Sequence, residues 1–364
     1  MKKISEAHIK KISTVLSQWF TPDNSNLKTA IERTVSEGFF SFEDVKHQVL
    51  ALKHTTEFKH LIKWVNQSAA DKELLAQKNI LCLHAGNLPL VGFHDALAVI
   101  ITGGNYVGKI SRKDPYLLPA LLQRFSESMP ELNLQWNSQI EQLPVKEADA
   151  LLFAGSEQSS RDVLALLKKK NIISESTPKL IRTAHYSVAL ITENSADTMR
   201  DLTEAVFRYG GAGCRSVAVV VAPFSLNAEK CTFTDYIEEF WLNNPQLKKP
   251  DRSLFHRYAF NKALNIEQAW LDNFLIEEHL SKPGEKFVLK WIKGGKSTLD
   301  EILQTYSKGI QSVYSTQEFI GKKAETHRIE PLSSAQKPPI WWKPDQIDTI
   351  SWLLENAGNK LQQS

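Results

Sequence analysis

The chain has 364 residues, which suffices for one large or two ordinary domains with an ample core. Its composition, 42% hydrophobic and 23% charged, is that of a soluble globular protein. Lysine and arginine total 44 against 41 acidic residues, and the net charge of +3 argues against a protein that binds nucleic acid through electrostatics.

Cysteine usage and apolar runs narrow the class further. Cys82, Cys214 and Cys231 form a sparse, odd set that favours a reducing compartment over a disulfide scaffold. No cysteine or histidine spacing predicts a metal site. The N-terminus has no apolar stretch typical of a secretory signal, and the longest apolar runs, such as 217–222, are too short to span a bilayer. The expected location is the cytoplasm.

The pattern of predicted secondary structure changes twice along the chain. Residues 1–77 show helical spacing and no visible chemistry. Residues 78–180 alternate strands and helices, which predicts a parallel sheet covered on both faces, completed by part of 330–364. Residues 181–330 form a second α/β unit, in which helices are expected at 236–241 and 266–279. The fold class is therefore α/β, with two α/β domains and a helical N-terminal segment.

The stretch with the most chemistry is the glycine-rich turn 209–216, which delivers Cys214 between a predicted helix and a buried strand. Backbone N–H groups at such a junction, and the neighbouring Arg215, both favour the thiolate, which is the nucleophilic form. A small buried hydrophobe is the alternative interpretation of Cys214.

Two motifs fail on spacing. The run 293–298 lacks the first glycine of a phosphate-binding loop, since Lys290 stands there. No GxGxxG follows a predicted strand, so the usual dinucleotide fingerprint is absent.

Several further segments carry distinctive motifs: 84–95 (HAGNLPLVGFHD), 103–114 with its KISRKD core, 153–156 (FAGS), 181–189 (IRTAHYSVA), 213–216 (GCRS) and 328–332 (RIEPL), followed by Trp342 and 345–349. In this order, the segments resemble the aldehyde dehydrogenase superfamily and, within it, the fatty acyl-CoA reductases of bacterial luminescence. The resemblance covers roughly residues 80–355, and the order of the motifs is more specific than any one of them.

The resemblance implies that Cys214 is the nucleophile and that the Asn87 amide and the Cys214 backbone N–H form an oxyanion hole. Asn87 follows the first predicted strand, at the carboxyl edge where open α/β sheets bind ligands. A turn residue that bonds its own backbone is the alternative for Asn87.

The same resemblance implies a nicotinamide cofactor, NADPH or NADH. Lys109, at the end of the second strand, and Ser111 and Arg112 are the candidate cofactor residues, and the positive charge of Arg112 and Lys113 favours a 2′-phosphate and hence NADPH. Gly155 and Ser156 open a helix whose N–H groups could receive a diphosphate. Ser156 serves equally well as a plain N-cap, and Lys109 as an ordinary surface lysine.

One departure from the superfamily is informative. Hydrolytic members carry a glutamate that activates water, but its aligned position falls at about Ile181, and no acidic residue lies between Lys179 and Ile191. Without that base, we expect the acyl-enzyme to react with CoA or hydride instead of water, as in an acyl-CoA reductase. His185 is a candidate acid or base, with a structural histidine as the alternative.

The resulting hypothesis is an NAD(P)H-dependent acyl-CoA reductase that makes an aldehyde from a long-chain acyl thioester. A non-redox acyl transferase that uses the same cysteine, and a non-catalytic scaffold, are the alternatives. By analogy with the superfamily we expect a homo-oligomer, and the luminescence systems suggest a partner enzyme that donates the acyl group.

Overall fold

A computed structural model describes residues 3–69, 73–183, 185–227, 232–245, 247, 249–250, 252–271, 273–316, 319–325 and 327–358; Cys231 lies outside them. The described residues cluster into two compact units. Unit one is Met1–Ala184 with Pro338–Ser364, and unit two is His185–Lys337.

The helices are α1 (Glu6–Trp19), α2 (Ser25–Ser36), α3 (Phe42–Thr55), α4 (Phe58–Ser68), α5 (Phe93–Thr102), α6 (Leu117–Ser128), α7 (Glu157–Lys169), α8 (Ala196–Phe207), α9 (Phe233–Asn243), α10 (Ser253–Ala263), α11 (Lys296–Tyr306) and α12 (Thr349–Asn356). The strands are β1 (Asn79–Leu83), β2 (Asn105–Lys109), β3 (Leu134–Asn137), β4 (Ala150–Ala154), β5 (Lys179–Arg182), β6 (Tyr186–Leu190), β7 (Val217–Ala222), β8 (Gln268–Leu271), β9 (Phe274–Glu277), β10 (Val288–Lys293), β11 (Ile310–Ser315), β12 (Lys323–Ala324) and β13 (His327–Pro331).

The sheet of unit one is parallel throughout its described strands, in the order β3-β2-β1-β4-β5. Successive side chains of β1 enter different cores, as the twofold strand period requires. Ile80 and Cys82 pack with α1, α5 and α6, whereas Leu81 and Leu83 pack with Leu167 of α7. Both faces are therefore covered, which explains why β1 is a continuous apolar run.

The C-terminal segment belongs to unit one. Helix α12 packs against α5. Its N-cap, Asp348, accepts hydrogen bonds through Oδ2 from the Trp64 indole (3.2 Å) and the Ser68 hydroxyl (2.9 Å), both on α4. The N-terminal helices and the C-terminal helix thus cover the same side of the sheet.

In unit two the described strands pair in the order β12-β13-β11-β6-β7-β10-β9-β8. The pairs from β13 to β9 are parallel, and the edge pairs β12/β13 and β8/β9 are antiparallel. Along β7, Val220 and Ala222 pack with α8 and α9, whereas Val219 and Val221 pack with α11. The predicted α/β class, with two units built on parallel sheets and a helical N-terminal segment, is confirmed.

The helix predicted over 266–279 is wrong. Strands β8 and β9 form an antiparallel pair there, with Ala269 opposite Ile276, and β9 also pairs with β10, which buries Leu275 and Ile276. A short apolar run does not distinguish a helix from a strand, and here the pairing with β10 decides. Strands β11 to β13, which extend the sheet beyond β6, were not predicted.

Candidate active site

Cys214 follows a turn with unusual backbone geometry. After α8, a 3-10 turn spans Arg208–Gly211, and three successive residues have left-handed φ values: Tyr209 (+59°), Gly210 (+64°) and Gly211 (+66°). Glycine takes this conformation freely, whereas a buried tyrosine does so only when its surroundings hold it. The turn ends α8 and brings the chain to Cys214, three residues before β7.

Hydrogen bonds hold Cys214 at the amino end of β7. The buried Ser187 hydroxyl donates to the Cys214 carbonyl (3.0 Å), and the Ser216 N–H donates to the Gly213 carbonyl (3.0 Å). Strands β6 and β7 run parallel, so their amino ends share one edge of the sheet. His185 directly precedes β6 and is half-buried, as is Cys214. The structure therefore places His185 and Cys214 on the same edge.

Two buried arginines anchor the turn at its ends. Arg208 donates from Nε and Nη2 to both carboxylate oxygens of Glu204 (2.7 Å each) and from Nη1 to the Asn244 Oδ1 (2.6 Å). Arg215 donates from Nη2 to Glu330 Oε2 (2.9 Å) and from Nε to the Ala335 carbonyl (2.7 Å). The bonds of Arg215 tie the cysteine turn to β13 and to the segment that follows it.

The positive charge predicted beside Cys214, that of Arg215, is therefore paired with the carboxylate of Glu330. Burial opposes the charged form of Arg215, but attraction to the ionised forms of Tyr314, Glu330 and Cys214 outweighs it and raises the Arg215 pKa above its ordinary value. At neutral pH Glu330 supplies this attraction, because burial raises the Tyr314 pKa and keeps its hydroxyl neutral. Attraction between charges is mutual, so Arg215 favours the ionised Cys214 sulfur. Glu330 neutralises part of that field.

In unit one, the predicted residues follow β1 and β2, which are neighbouring parallel strands. The loop after β1 carries half-buried Asn87, and the segment that begins at the end of β2 carries Lys109, Ser111 and Arg112. The two segments touch: a Cβ on Gly86 would lie 2.0 Å from the Ser111 Oγ. Only glycine leaves room for this approach. The structure thus brings these residues to one edge of the sheet.

Lys109 is the more enclosed cation at that edge. Its ammonium is half-buried, and burial together with repulsion from Arg112 lowers its pKa. A cation that is partly desolvated and lies near another cation is stabilised by an anionic ligand.

Asp114 fixes the loop after β1, a role that the sequence did not reveal. Its Oδ2 accepts the Leu90 N–H (2.8 Å), and Leu90 has a left-handed φ of +54°. Burial raises the Asp114 pKa to about 6, although hydrogen bonds from the Leu90 and Leu117 N–H groups oppose the shift.

Gly155 and Ser156 follow β4, on the other side of β1 from β2. Strand connections reverse between β1 and β4, and such a switch point opens a crevice at the carboxyl ends of the strands. The Gly155 N–H donates to the Arg182 carbonyl (3.0 Å), and the exposed Ser156 caps α7 by accepting the Ser159 N–H (3.1 Å). The N-cap interpretation of Ser156 is therefore correct as a structural role.

In the part of the chain that the structure describes, no group of three or more His, Cys, Asp or Glu side chains could hold a metal ion. No helix among those residues is long and apolar enough to cross a membrane.

Comparison of the sequence with protein-family models and with curated proteins gives no match. Solved structures do match. Aldehyde dehydrogenase 21 from Physcomitrella patens, in complex with succinate, has a TM-score of 0.64 at 12% identity over 97% of this chain and 83% of that chain. The chain has the aldehyde dehydrogenase fold.

Two further structures with this fold contain nicotinamide cofactors. Glyceraldehyde-3-phosphate dehydrogenase from Methanocaldococcus jannaschii, complexed with NADP, has a TM-score of 0.61 at 14% identity over 92% of this chain and 82% of that chain. An indole-3-acetaldehyde dehydrogenase complexed with NAD+ has a TM-score of 0.61 at 12% identity, over 90% of this chain and 75% of that chain.

Proposed function

We propose that the protein is an NAD(P)H-dependent acyl-CoA reductase, which takes a long-chain acyl group onto Cys214 and releases it as the aldehyde. The observation that carries this proposal is the presentation of Cys214 on a left-handed turn, anchored by Ser187 and Arg215. Similar structures are aldehyde dehydrogenases crystallised with NADP or NAD+, which supports a nicotinamide cofactor here.

A missing carboxylate favours reduction of a thioester over oxidation of an aldehyde. No aspartate or glutamate lies between Lys179 and Ile191, where hydrolytic relatives are expected to carry their water-activating base. Slow hydrolysis lets an acyl-cysteine persist until hydride or another thiol reaches it. Reduction of a thioester needs such persistence, whereas oxidation of an aldehyde to an acid does not.

The carboxyl edge of the unit-one sheet fits a dinucleotide. It contains the switch point between β1 and β4 and, beside β1, the cations Lys109 and Arg112. We propose that Lys109, Ser111 and Arg112 hold the ribose and phosphate groups, and that Gly155 and Ser156 border the diphosphate. When bound, the cofactor supplies the hydride that reduces the acyl carbon.

The residues of this chain carry the remaining steps. The Cys214 thiolate bonds to the thioester carbon, and the bond to the CoA sulfur breaks as CoA leaves and takes a proton. Asn87 and the Cys214 N–H are proposed to stabilise the negative oxygen of the tetrahedral state. After reduction the carbon–sulfur bond breaks, so that Cys214 returns to the thiolate and the aldehyde departs. His185, on the edge that carries Cys214, is proposed to exchange the proton.

A non-redox acyl transferase is the second candidate, and one observation favours it. The N-terminus of α7 already has its own cap in Ser156, and Glu157 places a negative charge in the first turn. Both weaken that helix end as a receptor for a diphosphate.

The test is intact-mass analysis after the protein is mixed with long-chain acyl-CoA, followed by NADPH. The reductase gains the mass of one acyl group and loses it again as aldehyde when NADPH is added. Retention of the acyl group in NADPH, with discharge to an added thiol, supports the transferase. No loading at any chain length contradicts Cys214 as a thioester nucleophile.

The matched controls are two cysteine variants. Cys214→Ala should abolish loading without loss of the circular dichroism signal. Cys82→Ala should load normally, because Cys82 is fully buried in the core of unit one. Loss of loading in both variants would indicate damage to the fold.

Asn87→Ala tests the proposed oxyanion hole. We expect kcat to fall by about 10²–10³, with KM much less affected, because the donor acts in the transition state. A fall confined to KM would assign Asn87 to substrate binding instead.

A further inference from the structure

The side chain of Arg215, the residue after Cys214, is buried and held by several hydrogen bonds. Arg215 is only 5% exposed, and its guanidinium donates hydrogen bonds to groups of unit two. Besides Glu330 and Ala335, it donates to the Ser334 carbonyl (3.2 Å) and approaches the Ser312 hydroxyl (3.4 Å). Its position is therefore fixed relative to the residue that precedes it, Cys214.

A buried cation next to a thiol has two opposed effects on reactivity. It increases the fraction of thiolate at neutral pH, and it makes that thiolate a weaker nucleophile because intrinsic nucleophilicity falls with basicity. The most reactive thiol at a given pH ionises close to that pH. A cation whose charge is partly neutralised by a neighbouring carboxylate can bring the thiol pKa close to the working pH.

Glu330 has the properties of such a counter-charge. Its Oε2 lies 2.9 Å from Arg215 Nη2, and its Oε1 accepts the Ser312 hydroxyl (3.0 Å). The Arg215 side chain is 6% exposed but that of Glu330 is 25% exposed, so the carboxylate reaches the surface while the guanidinium does not. The Tyr314 ring, 5.2 Å from the Arg215 Cζ, completes the enclosure from β11.

We propose that Arg215 and Glu330 form an electrostatic pair that sets how readily Cys214 ionises, with Arg215 promoting the thiolate and Glu330 restraining it. The proposal rests on the proposed function only in taking Cys214 as the nucleophile. Arg215 and Glu330 are positioning residues, since they act through Cys214.

The other titratable groups near the turn have separate places. Tyr314 stacks under Arg215 from β11, and burial raises its pKa, so that it stays neutral at working pH. Arg208, at the far end of the turn, is paired with Glu204. His185 lies on the same sheet edge as Cys214. Its contribution is separated by measuring each variant in a His185→Gln background as well.

The experiment measures the rate of Cys214 alkylation by iodoacetamide as a function of pH, with peptide mass analysis to separate Cys214 from Cys82 and Cys231. Glu330→Gln keeps the side-chain shape but removes the counter-charge, so the midpoint should move to lower pH by about one unit. Arg215→Met should move it to higher pH by about one unit or more, and Arg215→Lys should restore part of the difference.

The matched control is Glu204→Gln, which removes the carboxylate partner of the other buried arginine on the same turn. It should leave the midpoint unchanged. A purely structural role predicts that Glu330→Gln and Arg215→Met shift the midpoint in the same direction, or that Glu204→Gln shifts it as much as Glu330→Gln. Either result overturns the proposal.

Should Arg215→Met fail to fold, Glu330→Gln decides alone, because an unchanged or raised midpoint in that variant contradicts a restraining carboxylate. Alkylation needs neither acyl-CoA nor NADPH. Opposite shifts without acyl loading would therefore leave this proposal standing while the proposed function falls, and loading without opposite shifts would do the reverse.

Discussion

Two irregular segments carry the proposed chemistry, and one buried charged side chain fixes each of them. Asp114 accepts a backbone N–H from the loop after β1, and Arg215 donates to backbone carbonyls beyond the cysteine turn. Arg215 has a counter-charge in Glu330, whereas Asp114 is held by backbone N–H groups, which carry no full charge.

Arg215 and Asp114 each hold an irregular segment in place, but the two side chains respond differently to pH. A compensated guanidinium stays charged at every pH the protein meets, so the cysteine turn is held constantly. Burial raises the pKa of Asp114 to about 6, so the loop that carries Asn87 is held by a group that titrates near neutral pH. Removal of either anchor should reveal this contrast.

The largest effect is expected for Arg215→Met. The substitution removes the cationic partner of Glu330 and the guanidinium donor to two backbone carbonyls. Loss of one member of a buried ion pair costs about 3–5 kcal/mol. Urea unfolding at two pH values, about 6 and 8, should show the same loss at both. A loss that varies strongly between them would mean that the pair titrates.

Asp114→Asn should change stability in a manner that depends on pH. The Asp114 pKa is about 6 in the folded chain against an ordinary value of 3.8, so the folded state holds the proton more tightly. This contribution to stability is complete below about pH 4 and is lost as pH rises through about 6, with a total of about 3 kcal/mol. The difference in unfolding free energy between wild type and variant, followed from about pH 4 to 8, measures it.

In that measurement wild type should lose stability relative to Asp114→Asn as the pH rises. Asn retains an oxygen that accepts the Leu90 N–H, which makes it the suitable isostere. A difference that does not vary with pH would show that Asp114 has an ordinary pKa.

The smallest of the three effects is expected for Gly86→Ala. The added Cβ would meet the Ser111 Oγ at 2.0 Å and the Lys113 Cβ at 2.9 Å, so the segments after β1 and β2 must move apart. Overpacking of this kind costs about 1–3 kcal/mol. Ser111→Gly should relieve part of the clash, and a double-mutant cycle on unfolding free energy gives the coupling. Additive effects would show that the segments are not in contact in solution.

Much of the fold could be predicted from local patterns. The strands β1, β4, β6 and β7 are short apolar runs between turn signals, and α7 begins at a serine cap. The cysteine turn was visible as three glycines between a helix and a strand. In each case neighbouring residues determine the structure, so a sequence window contains the information.

The residues that were missed depend on partners far along the chain. Arg215 and Glu330 are 115 residues apart, and Asp114 lies 24 residues from Leu90. Arg215 was expected to favour the Cys214 thiolate, but the sequence gives no sign of which carboxylate faces it. The sequence predicts a helix where β8 and β9 lie for the same reason, since the pairing of β9 with β10 is a tertiary contact.

The division of the chain also bears on the order in which the protein assembles. Unit two, His185–Lys337, is inserted between the two parts of unit one, and α12 covers the almost wholly buried helix α5. On the ribosome, unit two emerges in full before the last piece of unit one is made. Unit two can therefore fold first. Until α12 is synthesised, the apolar surface of α5 that α12 buries stays accessible to chaperones and proteases.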